Sequence, residues 1–110
     1  LAIQACSKEQ KQALRVRIKE ALCRVGLEGT ENKLVNELSG GQKRRVALLR
    51  TLFANADILL FDEPLKGLDE ALKQQVIAFI QPFIESKIVI WVTHTPEEIK
   101  LLGSYTALQL

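Results

Sequence analysis

Asp62 and Glu63 stand side by side at the end of an unbroken apolar run, Ile58-Leu59-Leu60-Phe61, and are followed by Pro64. Two consecutive carboxylates delivered by a buried strand suit phosphoryl chemistry. One can hold Mg²⁺, which prefers few carboxylates together with water and phosphate oxygens, while the other orients a water for attack. Taken alone, such a pair is more often simply the polar end of a strand entering a loop. Upstream, Ser39-Gly40-Gly41-Gln42 opens a basic amphipathic segment. Ser39 and Gln42 have the spacing of a capping box, in which each side chain satisfies a backbone N–H of the other residue. That box leaves the glycines unexplained, since each costs up to about 1 kcal/mol relative to Ala in a helical turn. Glycines there let a ligand approach the backbone, and a helix N-terminus offers unpaired N–H groups and a favourable dipole to an anion. A terminal phosphate fits that description. His94 is the single histidine and follows a second apolar run, Ile88-Val89-Ile90-Trp91-Val92. A lone histidine is more often structural than functional, but at a strand's carboxyl end it stands beside Asp62 and Glu63 if the two strands are neighbours.

The elements that must position these residues can be read from periodicity. Ser7-Lys8-Glu9-Gln10 has capping-box spacing, and Leu14, Ile18, Ala21, Leu22 and Val25 recur at helical intervals up to Gly26. This predicts a helix over about residues 8–25 with one buried face and a C-terminal glycine cap. Leu27 to Leu38 is a connector with room for one helical turn. A second helix is expected from Gln42 to about Asn55, with Val46, Leu49, Leu52 and Phe53 on its apolar side. Ile58 to Phe61 and Ile88 to Val92 have the continuous apolar pattern of strands covered on both faces in a parallel sheet. Between them, Asp69 is a good N-cap for a third helix striped by Leu72, Val76, Phe79, Ile80 and Phe83, and Pro82 should kink or end it. Thr95-Pro96-Glu97-Glu98 combines a third capping-box spacing with Pro at the first helical position, opening a short helix that Gly103 closes. Tyr105 to Leu110 has the pattern of a last strand. Strands separated by helical crossovers argue for a parallel, three-layered α/β unit, with the first two helices outside the alternation.

Composition bounds the alternatives. The 110 residues are 47% hydrophobic, 25% charged and 5% aromatic, ordinary values for one globular domain. A net charge of +2 is too small to imply nucleic-acid binding, and Lys43, Arg44 and Arg45 lack interleaved aromatics. No apolar run is long enough to span a membrane, and the opening residues have no signal-peptide pattern. Cys6 and Cys23 form no CxxC pair and read as buried or half-buried free thiols. The chain starts with Leu rather than Met, a hint that this is not a translation start.

Leu38-Ser39-Gly40-Gly41-Gln42 and Ile58-Leu59-Leu60-Phe61-Asp62-Glu63-Pro64 together resemble the signature motif and Walker B strand of ATP-binding cassette (ABC) ATPases. Gly67-Leu68-Asp69 and Thr93-His94 follow in the order of that family's D-loop and switch histidine. The resemblance implies an α/β fold: a partial P-loop NTPase-type, three-layer parallel sheet preceded by part of the ABC helical subdomain. Residues 1–56 would be that subdomain with its signature helix, and residues 57–110 the C-terminal part of a RecA-like core. It also implies ATP and Mg²⁺ as ligands, with Asp62 on the magnesium side and Glu63 as the general base. His94 would contact the γ-phosphate, and Asp69 would couple two ATP sites across a dimer. Ser39, Gly40, Gly41 and Gln42 would contact ATP held mainly by the opposite subunit. The implied function is an ATP-binding transporter subunit on the cytoplasmic face of the membrane, driving solute transport by ATP hydrolysis. Its partners would be transmembrane permease subunits, a second nucleotide-binding domain and, for an importer, a solute-binding protein, with no nucleic acid. The loop Pro64-Leu65-Lys66-Gly67-Leu68-Asp69 is similar to that of bacterial transporter cassettes and leans towards import. A non-transport ABC ATPase acting on DNA or ribosomes, or a truncated, non-enzymatic remnant, are the alternatives.

The resemblance also has a gap. Nothing matches G-x-x-x-x-G-K-[ST]: Gly40-Gly41-Gln42-Lys43 lacks the first glycine, the Ser/Thr and a preceding strand. The family's adenine-stacking aromatic and Q-loop glutamine have no counterpart before Ser7. The segment is therefore expected to be the C-terminal part of the family's domain, with strand edges left open, and to neither bind ATP tightly nor hydrolyse it unaided.

Overall fold

A computed structural model describes residues 7–108. The first helix, α1 (Lys8–Arg24), begins with the expected box: Ser7 Oγ accepts the Gln10 N–H at 3.1 Å and Gln10 Oε1 accepts the Ser7 N–H at 2.8 Å. It ends in a Schellman turn, where Gly26 donates to the Cys23 carbonyl at 3.1 Å and Leu27 to that of Leu22 at 2.7 Å. Gly26 makes this turn possible with φ +75°. The last carbonyls are then tied to two other helices. Arg45 Nη1 donates to Val25 O at 2.9 Å, and Gln75 Nε2 donates to Arg24 O at 2.8 Å. Only this end of α1 is buried, through Ala21, Leu22 and Val25, whereas Leu14 and Ile18 remain 43% and 40% exposed. The expected buried face along the whole helix is thus corrected, because no apolar element covers Leu14 and Ile18 among the described residues; before Ala21, Arg17 reaches Phe53, its guanidinium 5.4 Å from the ring centroid. Cys23 is exposed, against the expected burial, because it lies off the short buried stripe; Cys6 lies outside the described residues.

A Cβ on Gly26 would sit 3.0 Å from Arg45 Nη1 and 3.1 Å from Leu72 Cδ1. Strain at positive φ and crowding act together here, so Gly26→Ala should cost about 1–2 kcal/mol or more. The check is the urea unfolding midpoint, and an unchanged midpoint would contradict the assignment.

A 3-10 turn (Val35–Glu37) is the one helical turn of the connector, and α2 (Gly40–Phe53) follows it. α2 starts two residues before the expected Gln42, since Ser39 is the cap and both glycines are helical. Next come β1 (Ile58–Asp62), α3 (Glu70–Ile84), β2 (Ile88–Val92) and α4 (Glu97–Lys100). β1 and β2 pair in parallel, with Ile58 opposite Ile88 and Asp62 opposite Val92. α3 is their crossover, capped by Asp69, whose Oδ1 accepts the Leu72 N–H at 2.8 Å. Pro82 falls in the last turn of α3, which ends two residues later.

Val25, Leu27, Leu65, Val76 and Ile80 are fully buried and centre one core with Leu48, Leu49, Leu52, Leu59 and Phe61. Phe61 packs against Trp91 of the neighbouring strand, the two rings tilted by 49° with centroids 5.2 Å apart. The strands alternate, with Leu59 and Phe61 facing the core while Ile58, Leu60, Ile88, Ile90 and Val92 are exposed. Coverage on both faces is therefore corrected to coverage on one among the described residues, because α1, α2 and α3 share a single core with the inward residues. The result is an α/β unit with a parallel two-stranded sheet. Residues 105–108 of the expected last strand form no strand: Leu108 is 86% exposed and no ladder bond holds this stretch to the sheet. Gln109 and Leu110 lie outside the described residues.

Candidate functional site

The two strands end side by side, and their ends gather the acidic pair and the histidine. The ladder continues one step past β1, as Glu63 N–H donates to Val92 O at 2.8 Å. Glu63 then adopts φ +47°, the one non-glycine positive φ among the described residues. A left-handed conformation costs a side chain with a Cβ about 1–2 kcal/mol, and such outliers concentrate where function over-determines the backbone. The bend is anchored by buried Pro64 and Leu65. It delivers the Glu63 carboxylate to the turn after β2, where Oε1 accepts the His94 main-chain N–H at 2.8 Å. His94 Nε2 lies 3.7 Å from the same oxygen, too long for a hydrogen bond. The side chains differ in surroundings: that of Glu63 is 20% exposed and that of His94 96%. The imidazole therefore stands free to meet something arriving from solvent, while the carboxylate behind it is held.

Asp62 is exposed at the end of β1, next to this pair. Among the described residues no group of three or more His, Cys, Asp or Glu side chains could enclose a metal ion. One open carboxylate is what a hard cation arriving with water and phosphate oxygens would use.

Ser39 and Gln42 form their box in both directions, with Ser39 Oγ accepting the Gln42 N–H at 3.2 Å and Gln42 Oε1 accepting the Ser39 N–H at 2.9 Å. Lys43 N–H goes to Ser39 O at 2.9 Å. The N–H groups of Gly40 and Gly41 are left without a protein partner among the described residues, at the positive end of α2. A Cβ on either glycine would meet nothing within 4 Å. Neither packing nor φ explains their presence, so the open space in front of them is the feature to account for. Arg45 steadies this end by donating from Nε to Gly41 O at 3.3 Å. Burial lowers the affinity of its guanidinium for a proton, but the group stays charged at neutral pH. The structure thus brings Asp62, Glu63 and His94 together. Ser39 to Gln42 make no hydrogen bond or ion pair with them among the described residues, and Asp69 acts locally as the cap of α3.

One polar cluster at this end was not read from the sequence. Thr95 and Glu98 do not form a capping box, and Pro96 caps α4 without a side-chain bond. Glu98 is 5% exposed, and its carboxylate turns instead to Lys73 Nζ at 3.4 Å and to Thr93 Oγ1, which donates to it at 3.2 Å. The Thr-x-x-Glu spacing suggested a local partner, and nothing in it signals a lysine on α3.

Comparison with known proteins decides the family. The sequence model described as ABC transporter matches residues 3–66, more than half of the chain. The chain belongs to the ABC transporter family. It is 42% identical over 93 residues to the thiamine import ATP-binding protein ThiQ of Aliivibrio fischeri, a match covering 83% of this chain and 40% of that protein. To the spermidine/putrescine import ATP-binding protein PotA of Mesomycoplasma hyopneumoniae it is 40% identical over 101 residues, 89% of this chain and 22% of that one. To the Fe(3+) ions import ATP-binding protein FbpC of Escherichia coli it is 42% identical over 87 residues, 77% of this chain and 25% of that one. Among solved structures, a bacterial ABC transporter cassette determined as a dimer superposes with a TM-score of 0.67 at 33% identity, covering 90% of this chain and 43% of the other. The ABC chain described here thus spans less than half the length of these relatives.

Proposed function

We propose that this ABC chain is the signature and hydrolytic-carboxylate portion of the ATP-binding subunit of a transporter that imports a solute at the expense of ATP. In this reading residues 1–56 belong to the helical subdomain and residues 57–110 to the rear of the RecA-like core. The observation that carries it is the Glu63 carboxylate, held behind a solvent-facing His94 at the carboxyl ends of two parallel strands, the place where open α/β sheets bind ligands. The import direction is taken from the names of the three relatives and the second cassette from the dimeric solved cassette. Permease and solute-binding partners are what the family resemblance implies, and no helix among the described residues is long and apolar enough to cross a membrane. The subunit would act as a peripheral protein on the cytoplasmic face.

In this account Glu63 accepts a proton from the attacking water, and the His94 N–H fixes the direction in which its carboxylate presents a lone pair. The His94 imidazole contacts the γ-phosphate from the solvent side. Asp62 would hold Mg²⁺, which would neutralise charge on the phosphate oxygens. The free N–H groups of Gly40 and Gly41 meet the terminal phosphate of a nucleotide bound chiefly by a second cassette, which agrees with the absence of a direct contact between them and Glu63. Asp69, besides capping α3, lies in the loop that would touch that second cassette.

The test is phosphate release from MgATP by the natural polypeptide carrying this chain, together with its membrane partners. The account expects MgATP-dependent turnover, and no binding of micromolar ATP by the isolated 110 residues, which lack a phosphate-loop motif. Absence of turnover in the assembled system would leave the non-enzymatic reading in its place.

A further inference from the structure

We propose that Glu98 is a positioning residue: anchored by Lys73, it fixes Thr93 and with it the 93–95 turn, so that His94 holds out its N–H to Glu63. The inference rests on the hydrolytic role given to Glu63 above and adds to it a second layer of control. A carboxylate can only accept, so the Thr93 hydroxyl spends its single proton on Glu98 Oε2 at 3.2 Å. Its lone pair is then turned towards the Thr95 N–H, which it accepts at 2.9 Å. Both neighbours of His94 are thereby fixed, and the N–H between them has one direction left, towards Glu63 Oε1 at 2.8 Å.

The remaining carboxylate oxygen of Glu98 meets Lys73 Nζ at 3.4 Å, with side chains 20% and 5% exposed for Lys73 and Glu98. This pair is not an obvious stabiliser. Taking two charges out of water is costly, and an apolar pair of similar size often holds two elements together equally well or better. α4 has only four residues and cannot hold its own geometry. What an apolar pair cannot supply is direction, and direction is what the Thr93 hydroxyl receives. The chain runs from α3 through Lys73, Glu98 and Thr93 to the turn bearing His94, and so ties the crossover helix to the candidate hydrolytic carboxylate.

The decisive variant is Lys73→Met combined with Glu98→Leu in the natural polypeptide, which keeps the packing and removes the acceptor for Thr93. Two quantities are read: amide hydrogen exchange at His94, and kcat against KM for MgATP. The expected result is an unfolding midpoint near that of the unmodified protein and His94 exchange about tenfold faster or more. kcat should fall on the order of tenfold to a hundredfold with KM unchanged. Thr93→Val, similar in size but without a hydroxyl, should reproduce both effects even if the double variant folds poorly. Lys73→Met combined with Glu98→Gln leaves the single amide oxygen free to accept from Thr93 and should keep slow exchange and most of kcat. Unchanged His94 exchange in the double variant and in Thr93→Val overturns the inference, as does faster exchange with full kcat. The exchange readout needs no ATP, so it separates this failure from failure of the hydrolytic reading, which would appear as full turnover in Glu63→Gln.

Discussion

Glu63→Gln in the natural polypeptide should lower ATP turnover on the order of a thousandfold, within the range a positioned general base contributes, while MgATP affinity should hardly change. Glutamine has the shape of glutamate and keeps an oxygen that can accept the His94 N–H, the bond that joins the two strand ends at 2.8 Å. The fold should therefore be undisturbed. The left-handed backbone at Glu63 is strained in either form, with φ +47°. What is lost is the capacity to take a proton from water, because an amide oxygen is far too weak a base. Phosphate release under saturating MgATP and equilibrium nucleotide binding, measured on the same preparation, separate the two effects. A fall of less than about tenfold would remove Glu63 from the base role, since a general base contributes at least about a hundredfold. Loss of binding to the same degree as turnover would make it a ligand-holding residue instead.

Gly41→Ala should move stability and activity in opposite directions. Nothing stands within 4 Å of a Cβ at this position, and its φ lies outside the positive range. Alanine therefore fits, and in the first turn of α2 it strengthens the helix by up to about 1 kcal/mol. The melting temperature should rise. The same methyl group projects into the space where an anion would meet the unpaired N–H groups of Gly40 and Gly41. A displaced phosphate would lower turnover on the order of tenfold to a hundredfold. A residue retained for folding alone would show the reverse: lower stability and unaltered turnover. Thermal unfolding and ATP turnover of the same variant distinguish the two.

What the sequence made legible is what short-range interactions decide. The boxes at Ser7 and Ser39, the Asp69 cap and the Gly26 turn all close over three to six residues, so spacing alone reveals them. The two apolar runs became parallel strands, and that pairing placed His94 beside Glu63 as expected. The misses have a different character. Leu14 and Ile18 have helical spacing, but whether a stripe is buried depends on what packs on it, and among the described residues α1 buries apolar side chains only at its C-terminal end. Ile58, Leu60, Ile88 and Ile90 are as apolar as their inward neighbours and yet exposed, because a strand's composition tells what it can be covered by and not which face is covered here. Glu98 was read as a local cap because Thr95 is three residues before it. The winning partners were Lys73 across the fold and Thr93 one turn back. Tyr105 to Leu108 has strand propensity, but no strand among the described residues pairs with it.

The pairing of Glu63 with His94 is the centre of the account, and one measurement addresses it directly: saturating ATP turnover of Glu63→Gln, His94→Ala and the double variant, set out as a double-mutant cycle. Residues that act as one unit are strongly non-additive. Here the two roles differ: His94→Ala keeps the main-chain N–H that positions Glu63 at 2.8 Å and removes only the imidazole set against the γ-phosphate, so the account predicts that the two losses multiply. If instead the double variant turns over no more slowly than Glu63→Gln alone, the imidazole acts only through Glu63, and its separate contact with the phosphate is contradicted.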